Sequence, residues 1–238
     1  MDTGELLGSG RSADVFALDD RWVLRRYRGE GDASREGAFM AYLAERGYPV
    51  PRIRAAGADA GEAGSLRHTD LVMERLSGPS MSGALGQGAL SAYEGGVMLA
   101  GLLRRLHEIP ARLSPDPADR VLHLDLHPDN VMLTAGGPVV IDWGNVQEGP
   151  PGLDWAMSAL ILAQVAVVPG AESAGARAGL AALLEHRDRA IGLDVGDLGC
   201  MEQARMRRAA DPNLTRQEID ALDEAVALVR ELDAADGG

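Results

Sequence analysis

The sequence predicts an α+β fold in two lobes, a small β-rich N-terminal lobe and a mostly helical C-terminal lobe. Short strand-like runs bounded by turn residues fill most of the first third of the 238 residues, whereas apolar residues recur at helical spacing after residue 90. Between these parts lies a stretch rich in Gly and Ser, residues 76–88, which is the best candidate for a connection. The predicted lobes are residues 1–76 and 77–238.

The N-terminal lobe is predicted to contain one helix among several strands. The helix covers residues 34–46, because its apolar residues recur at helical spacing, with Ser34 as N-cap and Gly47 as its stop. The strands are predicted at residues 6–10, 14–18, 22–27, 53–56 and 70–74.

The C-terminal lobe begins with a helix predicted over residues 90–109. Residues 131–133 and 139–141 flank the turn-forming run TAGGP and predict a hairpin. After the hairpin the sequence predicts only helices, and the last of them begins with a capping box formed by Thr215 and Glu218. These helices cover residues 154–168, 172–192, 197–210 and 215–234.

The composition excludes several classes of protein. Cys200 is the single cysteine, so an intramolecular disulfide is ruled out and a cytoplasmic location is expected. The net charge of −13 argues against a nucleic-acid partner, which needs a basic surface. No membrane association is expected, because the longest apolar run, Ala156 to Val168, is too short to span a bilayer and Met1 to Gly10 lacks the features of a signal peptide. The sequence leaves the oligomeric state open.

The segment HLDLHPDN at 123–130, followed by IDW at 141–143, is the strongest indication of function. Phosphoryl transfer needs a carboxylate that accepts the proton of the attacking hydroxyl group, and it needs oxygen ligands for Mg²⁺. Asp125 precedes Asn130 by five residues, which is the spacing of a kinase catalytic loop. Asp142 ends the second strand of the predicted hairpin, where its carboxylate can project towards the same cleft. The sequence therefore predicts a kinase that uses a nucleoside triphosphate.

A glycine-rich segment near the N-terminus supports this prediction. Residues 8–15 read GSGRSADV and match the kinase pattern G-x-G-x-x-G-x-V, with Ala13 at the third Gly. Gly8 and Gly10 would let the backbone lie close to phosphate groups and offer its N–H groups. Val15 is expected to cover the adenine ring.

The phosphate-binding cation must be an arginine, because the 23 basic residues include no lysine. Kinases place a Lys on the third strand to hold the α- and β-phosphates, paired with a Glu of the following helix. Arg25 is expected to take this place, since it shares a strand face with Val23, and Glu36 is its expected partner. The backbone around Glu74 and Leu76, at the end of the last strand, is expected to bind the adenine edge.

These residues resemble the aminoglycoside-phosphotransferase and choline-kinase-like family, whose loop reads H-G-D-x-H-x-x-N before an I-D-W/F segment. The resemblance extends from Leu6 to at least Ala156. It implies a bilobal protein-kinase-like fold, ATP or GTP as donor with Mg²⁺, and a small molecule with a hydroxyl group as acceptor. This sequence departs from the family at Leu124, where the family usually has Gly.

The resemblance also assigns roles to individual residues. It implies that Asp125 is the catalytic base and that Asn130 and Asp142 are the metal ligands. His123 is expected to brace the loop. The two remaining residues support the site: Asp154, which is expected to hold the loop by hydrogen bonds, and His127, for which a contact with phosphate or substrate and a structural role both stay open.

Two other functions stay open. A protein kinase is less well supported, because the eleven residues between Asp142 and Asp154 contain no Ser, Thr or Tyr for a phosphorylated activation loop. A non-catalytic nucleotide-binding module is favoured by three features: the absence of lysine, Ala13 at the third Gly of the glycine-rich pattern, and Leu124 at the Gly of the family's loop. The retained base and metal ligands argue against that module.

The acceptor is also undetermined by the sequence. Residues 151–238 carry 15 acidic and 8 basic residues, a balance that suits a cationic aminoglycoside or a choline-like amine. Acidic outer faces of amphipathic helices explain the same balance without any ligand. An amino sugar, a sugar alcohol or a macrolide is equally compatible.

Overall fold

The computed structural model describes residues 4–10, 12–29, 33–54, 67–193 and 199–235. The strands among them are β1 (Leu6–Ser9), β2 (Ala13–Ala17), β3 (Trp22–Tyr27), β4 (Asp70–Glu74), β5 (Arg120–Leu122), β6 (Val131–Thr134), β7 (Gly137–Val140) and β8 (Gln147–Gly149). The helices are α1 (Ala33–Glu45), α2 (Met81–Gly86), α3 (Ala92–His107), α4 (Pro151–Val167), α5 (Ser173–Glu185), α6 (Cys200–Ala209), α7 (Arg216–Asp220) and α8 (Leu222–Ala235). Short 3₁₀ turns cover Pro128–Asn130 and Trp143–Asn145.

The chain forms two compact units. The first unit contains residues 1–78 and 132–146, and the second contains residues 79–131 and 147–238. Each predicted lobe, 1–76 and 77–238, is one continuous stretch of chain. In the structure, however, the hairpin segment 132–146 groups with the first unit. The division into functional lobes stays a prediction.

A four-stranded antiparallel sheet in the order β1-β2-β3-β4 forms the body of the first unit. Its register places Val15 opposite Arg25 and Arg25 opposite Leu71, so these side chains share one face of the sheet. Helix α1 lies on that face, because Glu36 contacts Arg25 and a Cβ atom at Gly37 would lie 3.1 Å from the side chain of Leu71. The helix therefore presents its first turns to the strand that carries Arg25.

The β6–β7 hairpin and the turn after it complete the first unit. Trp143 is fully buried, and its Nε1–H donates to the carbonyl oxygen of Val140 at 3.0 Å. Its ring meets that of Tyr48 edge-on, with centroids 5.7 Å apart. The N–H of Val140 donates to the carbonyl oxygen of Pro49 at 2.8 Å. These contacts fix the backbone on both sides of Asp142.

Helix α4 lies at the centre of the second unit, where it contacts α5, α6 and α8. Trp155, Ala159 and Leu160 of this helix are fully buried, as an apolar helix at the core of a bundle requires. Helices α3 and α5 pack closely, because a Cβ atom at Gly96 would lie 2.2 Å from the carbonyl oxygen of Gly179. Among the described residues, no helix has the length and apolar character needed to cross a membrane.

The predicted fold class and the order of most elements are confirmed. Strands β3 and β4 have the predicted bounds, and Gly47 ends α1 with a φ of +74°. The capping box of Thr215 and Glu218 is present at the start of α7. Because these features depend on local sequence, they could be predicted without knowledge of the packing.

Several predicted elements were wrong. The expected connection contains helix α2, which Ser80 caps by accepting a hydrogen bond from the N–H of Gly83 at 3.0 Å. The predicted last helix is divided at Ala221 into α7 and α8. Strands β5 and β8 were not predicted, because each has three residues and their pairing joins distant parts of the chain.

Other predicted bounds also need correction. Ser34 is not an N-cap, because α1 already begins at Ala33. Ile53 forms only an isolated bridge with Met73, and the end of that predicted strand, residues 55–56, lies outside the described residues. Helix α5 ends at Glu185 rather than at residue 192. The helix predicted from residue 197 is described only from Cys200, since residues 194–198 lie outside the described part.

Candidate active site

Arg25 lies at the centre of a group of polar side chains in the first unit. The Arg25 cluster is defined here as Arg25, Tyr27, Glu36 and Asp142. Arg25 is 6% exposed, and its two terminal nitrogens donate to different carboxylates. Nη1 donates to Oε1 of Glu36 at 3.0 Å, and Nη2 donates to Oδ1 of Asp142 at 2.5 Å. The expected ion pair with Glu36 is therefore present, together with a second one to Asp142.

The neighbouring arginine faces away from this cluster. Arg26 makes a bidentate ion pair with Asp70, with Nε to Oδ1 at 2.7 Å and Nη2 to Oδ2 at 2.9 Å. Successive side chains of a strand point to opposite faces, so only one of the two arginines can meet helix α1. This alternation is the reason why Arg25 rather than Arg26 meets Glu36.

The two carboxylates stabilise the charge of Arg25, whereas burial, with the charge of Asp142, raises the pKa of Glu36. Burial alone would lower the pKa of Arg25, but the carboxylates of Asp142 and Glu36 hold this pKa above its ordinary value. Burial raises the pKa of Tyr27, and the charge of Glu36 adds to this effect. The Tyr27 hydroxyl group therefore stays protonated and donates to Oε2 of Glu36 at 2.7 Å.

The glycine-rich segment forms the hairpin between β1 and β2. The N–H of Gly10 donates to the carbonyl oxygen of Ala13 at 2.9 Å, and Gly8 lies opposite Val15. No described atom lies within 4 Å of the Cβ position of Gly8, so another molecule could approach its backbone. Arg11 lies outside the described residues.

The outer face of this hairpin carries an ion pair that the sequence analysis did not identify. Arg28 donates to both carboxylate oxygens of Asp14, and the hydroxyl group of Ser9 donates to Oδ1 of Asp14 at 2.8 Å. The bonds from Arg28 and then Ser9 lower the pKa of Asp14 to about 2. This group ties β1, β2 and the end of β3 together.

Part of the backbone that was predicted to bind adenine forms hydrogen bonds within the first unit. The N–H of Glu74 donates to the carbonyl oxygen of Arg52 at 2.8 Å, and that of Arg75 donates to Arg21 at 2.8 Å. Glu74 lies opposite Trp22 at the end of the sheet. The N–H of Glu74 is therefore not available to a ligand, whereas that of Leu76 donates to no acceptor among the described residues.

In the second unit, Asp154 holds the segment that precedes the predicted base. Its buried carboxylate accepts hydrogen bonds from the backbone N–H groups of His123 at 2.9 Å and Leu124 at 2.7 Å. Nε2 of His107 lies 3.1 Å from the same carboxylate. Nδ1 of His123 accepts from the N–H of Asp125 at 3.2 Å. These contacts join Asp154 and His123 to the loop, and the bracing role of both residues stays a prediction.

Leu124 adopts a backbone conformation that favours Gly. Its φ is +64°, and the side chain is 3% exposed. A residue with a Cβ atom is strained there by about 1–2 kcal/mol. The departure from the family pattern at this position therefore has a structural cost, which burial of the Leu side chain offsets.

The predicted base and one predicted metal ligand lie together in the second unit. Nδ2 of Asn130 donates to the carbonyl oxygen of Asp125 at 2.8 Å, and it lies 3.5 Å from Oδ2 of the same residue. Nε2 of His127 lies 3.2 Å from Nδ2 of Asn130 and 3.8 Å from Oδ1 of Asp125. The side chain of Asp125 is 26% exposed, so its carboxylate remains accessible to another molecule.

The oxygen atoms available at these positions suit Mg²⁺. Asn130 donates through Nδ2, and no described residue donates a hydrogen bond to its Oδ1. Asp142 keeps 43% of its side chain exposed. Within the described ranges, no three His, Cys, Asp or Glu side chains are grouped as for a metal ion. A Mg²⁺ held mainly by phosphate oxygens and water needs no such group, because one or two side-chain ligands suffice.

The predicted site residues thus form two groups, each within its own unit. Arg25, Glu36 and Asp142 meet in the first, and Asp125, His127 and Asn130 meet in the second. Tyr27 and His107 were not predicted from the sequence. Strand alternation places Tyr27 on the face of Arg25 and could have identified it, whereas His107 contacts Asp154 across 47 residues and left no local signal.

Comparison with protein families gives one match. The model of the family described as the phosphotransferase enzyme family, APH, matches residues 3–120 and 108–193 of the chain. The comparison with curated protein sequences gives no match.

Several solved structures share the fold. A thermostable mutant of aminoglycoside phosphotransferase APH(4)-Ia, in a ternary complex with AMP-PNP and hygromycin B, gives a TM-score of 0.56 at 12% identity, over 100% of this chain and 94% of that chain. The amicoumacin kinase hAmiN, with AMP-PNP, Ca²⁺ and Ami, gives 0.56 at 14% identity, over 98% and 89%. The gentamicin complex of APH(2")-IIa gives 0.55 at 14% identity, over 100% and 91%. These likenesses confirm the expected protein-kinase-like α+β fold.

Proposed function

Since the chain belongs to the phosphotransferase enzyme family, we propose that it transfers the γ-phosphate of ATP or GTP to a hydroxyl group of a small molecule. The observation that carries this proposal is the arrangement around Asp125. Its accessible carboxylate lies on a loop that Asn130 and Asp154 hold by hydrogen bonds. An accessible carboxylate on a rigid loop is what a general base in phosphoryl transfer requires.

In this proposal, Asp125 accepts the proton of the attacking hydroxyl group and orients its oxygen towards the γ-phosphate. Asn130 and Asp142 are ligands of Mg²⁺, which offsets the negative charge of the phosphate groups when it is bound. The hydrogen bond from Nδ2 of Asn130 to the backbone of Asp125 supports the first ligand, because it orients the amide group. The exposed part of the Asp142 carboxylate supports the second.

Arg25 is proposed to bind the α- and β-phosphates in place of the usual Lys. Its guanidinium group carries a permanent charge and has several donors in one plane, so it can hold Glu36 and still donate to phosphate. In the described state one of its nitrogens is bonded to Asp142. Binding of a phosphate group would compete for that nitrogen. The glycine-rich hairpin at Gly8 and Gly10 is proposed to cover the same phosphates.

A small-molecule acceptor is favoured over a protein. The residues between Asp142 and Asp154 are taken up by the 3₁₀ turn Trp143–Asn145, by β8 and by the start of α4 at Pro151. This leaves no loop of the kind that positions a peptide substrate. The structural neighbours bind hygromycin B, gentamicin or amicoumacin according to their descriptions, which makes an aminoglycoside or another amine-bearing compound the first acceptor class to test.

A coupled nucleotide-consumption assay tests the proposal. Purified protein is incubated with Mg²⁺ and either ATP or GTP against a panel of aminoglycosides, other amines, sugars and macrolides with free hydroxyl groups. We expect turnover with at least one acceptor. For that acceptor, Asp125→Ala should lower the rate by about 10²–10⁴-fold, because a general base contributes this much.

The control and the contrary outcome are equally specific. Asp116→Ala changes a carboxylate that only caps the backbone of Ala118 in a turn, and it should leave the rate unchanged. Equal rates for wild type and Asp125→Ala would contradict the assigned base. Nucleotide binding without turnover across the whole panel would instead favour the non-catalytic nucleotide-binding module.

A further inference from the structure

We propose that Tyr27 is a positioning residue for nucleotide binding, which holds Glu36 and, through it, the guanidinium group of Arg25. The inference rests on the proposed function, in which Arg25 binds the phosphate groups of the nucleotide. Tyr27 itself is not expected to touch the nucleotide.

Both oxygens of the Glu36 carboxylate accept hydrogen bonds from side chains, and the carboxylate also accepts one from the backbone of Trp143. Oε1 accepts from Nη1 of Arg25 at 3.0 Å, and Oε2 accepts from the Tyr27 hydroxyl group at 2.7 Å. Glu36 is 2% exposed, so water cannot replace either donor. With both oxygens held, the carboxylate cannot rotate, and its bond to Arg25 has one fixed direction.

Tyr27 also contacts the arginine directly. It follows Arg25 by two residues on β3, so both side chains lie on the same face of the sheet. The guanidinium carbon of Arg25 lies 5.0 Å from the centroid of the Tyr27 ring, within the range of a cation–π contact. The Tyr27 ring therefore contacts Arg25, while the Tyr27 hydroxyl group donates a hydrogen bond to Glu36.

Gly144 leaves space for this hydroxyl group. A Cβ atom at Gly144 would lie 2.9 Å from the Tyr27 hydroxyl oxygen, closer than a real Cβ contact allows. The next atoms, Oδ1 of Asp142 at 3.6 Å and Nη2 of Arg25 at 3.8 Å, are at ordinary contact distances. An Ala at this position would thus displace the hydroxyl group of Tyr27 before any other described atom.

The main test compares Mg²⁺–ATP binding by full-length wild type, Tyr27→Phe and a matched control. The control Tyr42→Phe removes a hydroxyl group from the same unit, where the Tyr42 ring lies 3.5 Å from the guanidinium carbon of Arg46. Isothermal titration calorimetry should give a dissociation constant about threefold to tenfold higher for Tyr27→Phe, because a hydrogen bond to a charged group is lost next to the arginine. Tyr42→Phe should bind as wild type does.

A double-mutant cycle separates positioning from general stability. If Tyr27 acts through Glu36, Tyr27→Phe should add less than twofold to the effect of Glu36→Gln, whereas independent effects would multiply. Gly144→Ala should weaken ATP binding in the wild-type background and do so less in the Tyr27→Phe background, where no hydroxyl group is present to collide. If Tyr27→Phe does not fold, Gly144→Ala alone decides, and unchanged ATP binding by that variant overturns the inference.

The other outcomes are also decisive. Equal ATP affinity of wild type and Tyr27→Phe, with or without a lower melting temperature, overturns the positioning role and leaves the proposed function standing. Multiplying effects in the cycle overturn the route through Glu36. Wild-type protein that binds neither ATP nor GTP in the presence of Mg²⁺ overturns the proposed function and this inference with it.

Discussion

Replacement of Asp154 by Asn tests what holds the loop before the predicted base. The carboxylate of Asp154 accepts from the backbone N–H groups of His123 and Leu124 at 2.9 and 2.7 Å, and His107 lies 3.1 Å away. Asn has the same shape but only one oxygen. One of the two backbone N–H groups would therefore face the amide NH₂ group of Asn.

The expected loss of stability follows from burial. Asp154 is 0% exposed, so water cannot satisfy the group that loses its acceptor. An unpaired buried donor costs about 1–3 kcal/mol, and exchange of a charged acceptor for a neutral one at the other N–H costs about 1 kcal/mol more. For a chain of 238 residues, about 2–4 kcal/mol lowers the melting temperature by roughly 4–16 °C.

The pH dependence provides a second readout. Burial alone would raise the pKa of Asp154, but the hydrogen bond and charge of His107, with the contribution of His123, hold this pKa below its ordinary value of 3.8. A carboxylate with a lowered pKa in the folded state stabilises the protein above its unfolded-state pKa. That stability is lost as the pH falls through the folded-state pKa. The advantage of wild type over Asp154→Asn should therefore shrink as the pH falls below 3.8.

Thermal unfolding followed by circular dichroism, at pH 7.5 and in a series below pH 4, measures both effects. Asp223→Asn is the matched control, because its carboxylate is 79% exposed and pairs with Arg205 on the surface. This variant should melt within about 1 °C of wild type. If Asp154→Asn also melts within 1 °C of wild type at pH 7.5, the bonds of Asp154 do not hold the loop and the reasoning is wrong.

Two further predictions concern backbone geometry in the second unit. Leu124→Gly removes about 1–2 kcal/mol of strain at a φ of +64°, but it also removes a buried side chain worth about 2–5 kcal/mol, so urea denaturation should show a net loss of up to about 4 kcal/mol. A variant more stable than wild type would contradict this balance. Gly96→Ala places a Cβ atom 2.2 Å from a carbonyl oxygen of α5 and should destabilise by about 1–3 kcal/mol. Gly101 lies on the same helix, and no described atom lies within 4 Å of its Cβ position, so Gly101→Ala should stabilise the protein by about 0.5–1 kcal/mol in the same assay. Equal effects of the two substitutions would refute the close packing of α3 and α5.

The sequence predicted those parts of the site that depend on local periodicity. Arg25 and Glu36 meet because alternation along β3 and the position of Glu36 early in α1 place both side chains between the strand and the helix. The proximity of Asp125 and Asn130 follows from their spacing of five residues within one loop. In each case the two partners lie within about a dozen residues, so local rules were sufficient.

Contacts between distant segments could not be predicted in the same way. Asp142 reaches Arg25 across 117 residues, and no pattern in either segment specifies that contact. The pairing of β5 with β8 likewise joins Leu122 to Gln147 through strands of three residues, too short to show a period. The positive φ of Leu124 could not be predicted from the residue itself, because residues other than Gly rarely adopt this conformation.

The arginine at position 25 has consequences for the rest of its cluster. A Lys has one compact ammonium group, whereas the two terminal nitrogens of Arg25 donate to Glu36 and Asp142 separately, at 3.0 and 2.5 Å. The planar guanidinium group fixes the orientation of both carboxylates only if other groups also hold those carboxylates. The Tyr27 hydroxyl group does so for the carboxylate of Glu36. The neighbouring side chains are therefore arranged around the geometry of a guanidinium group at this position.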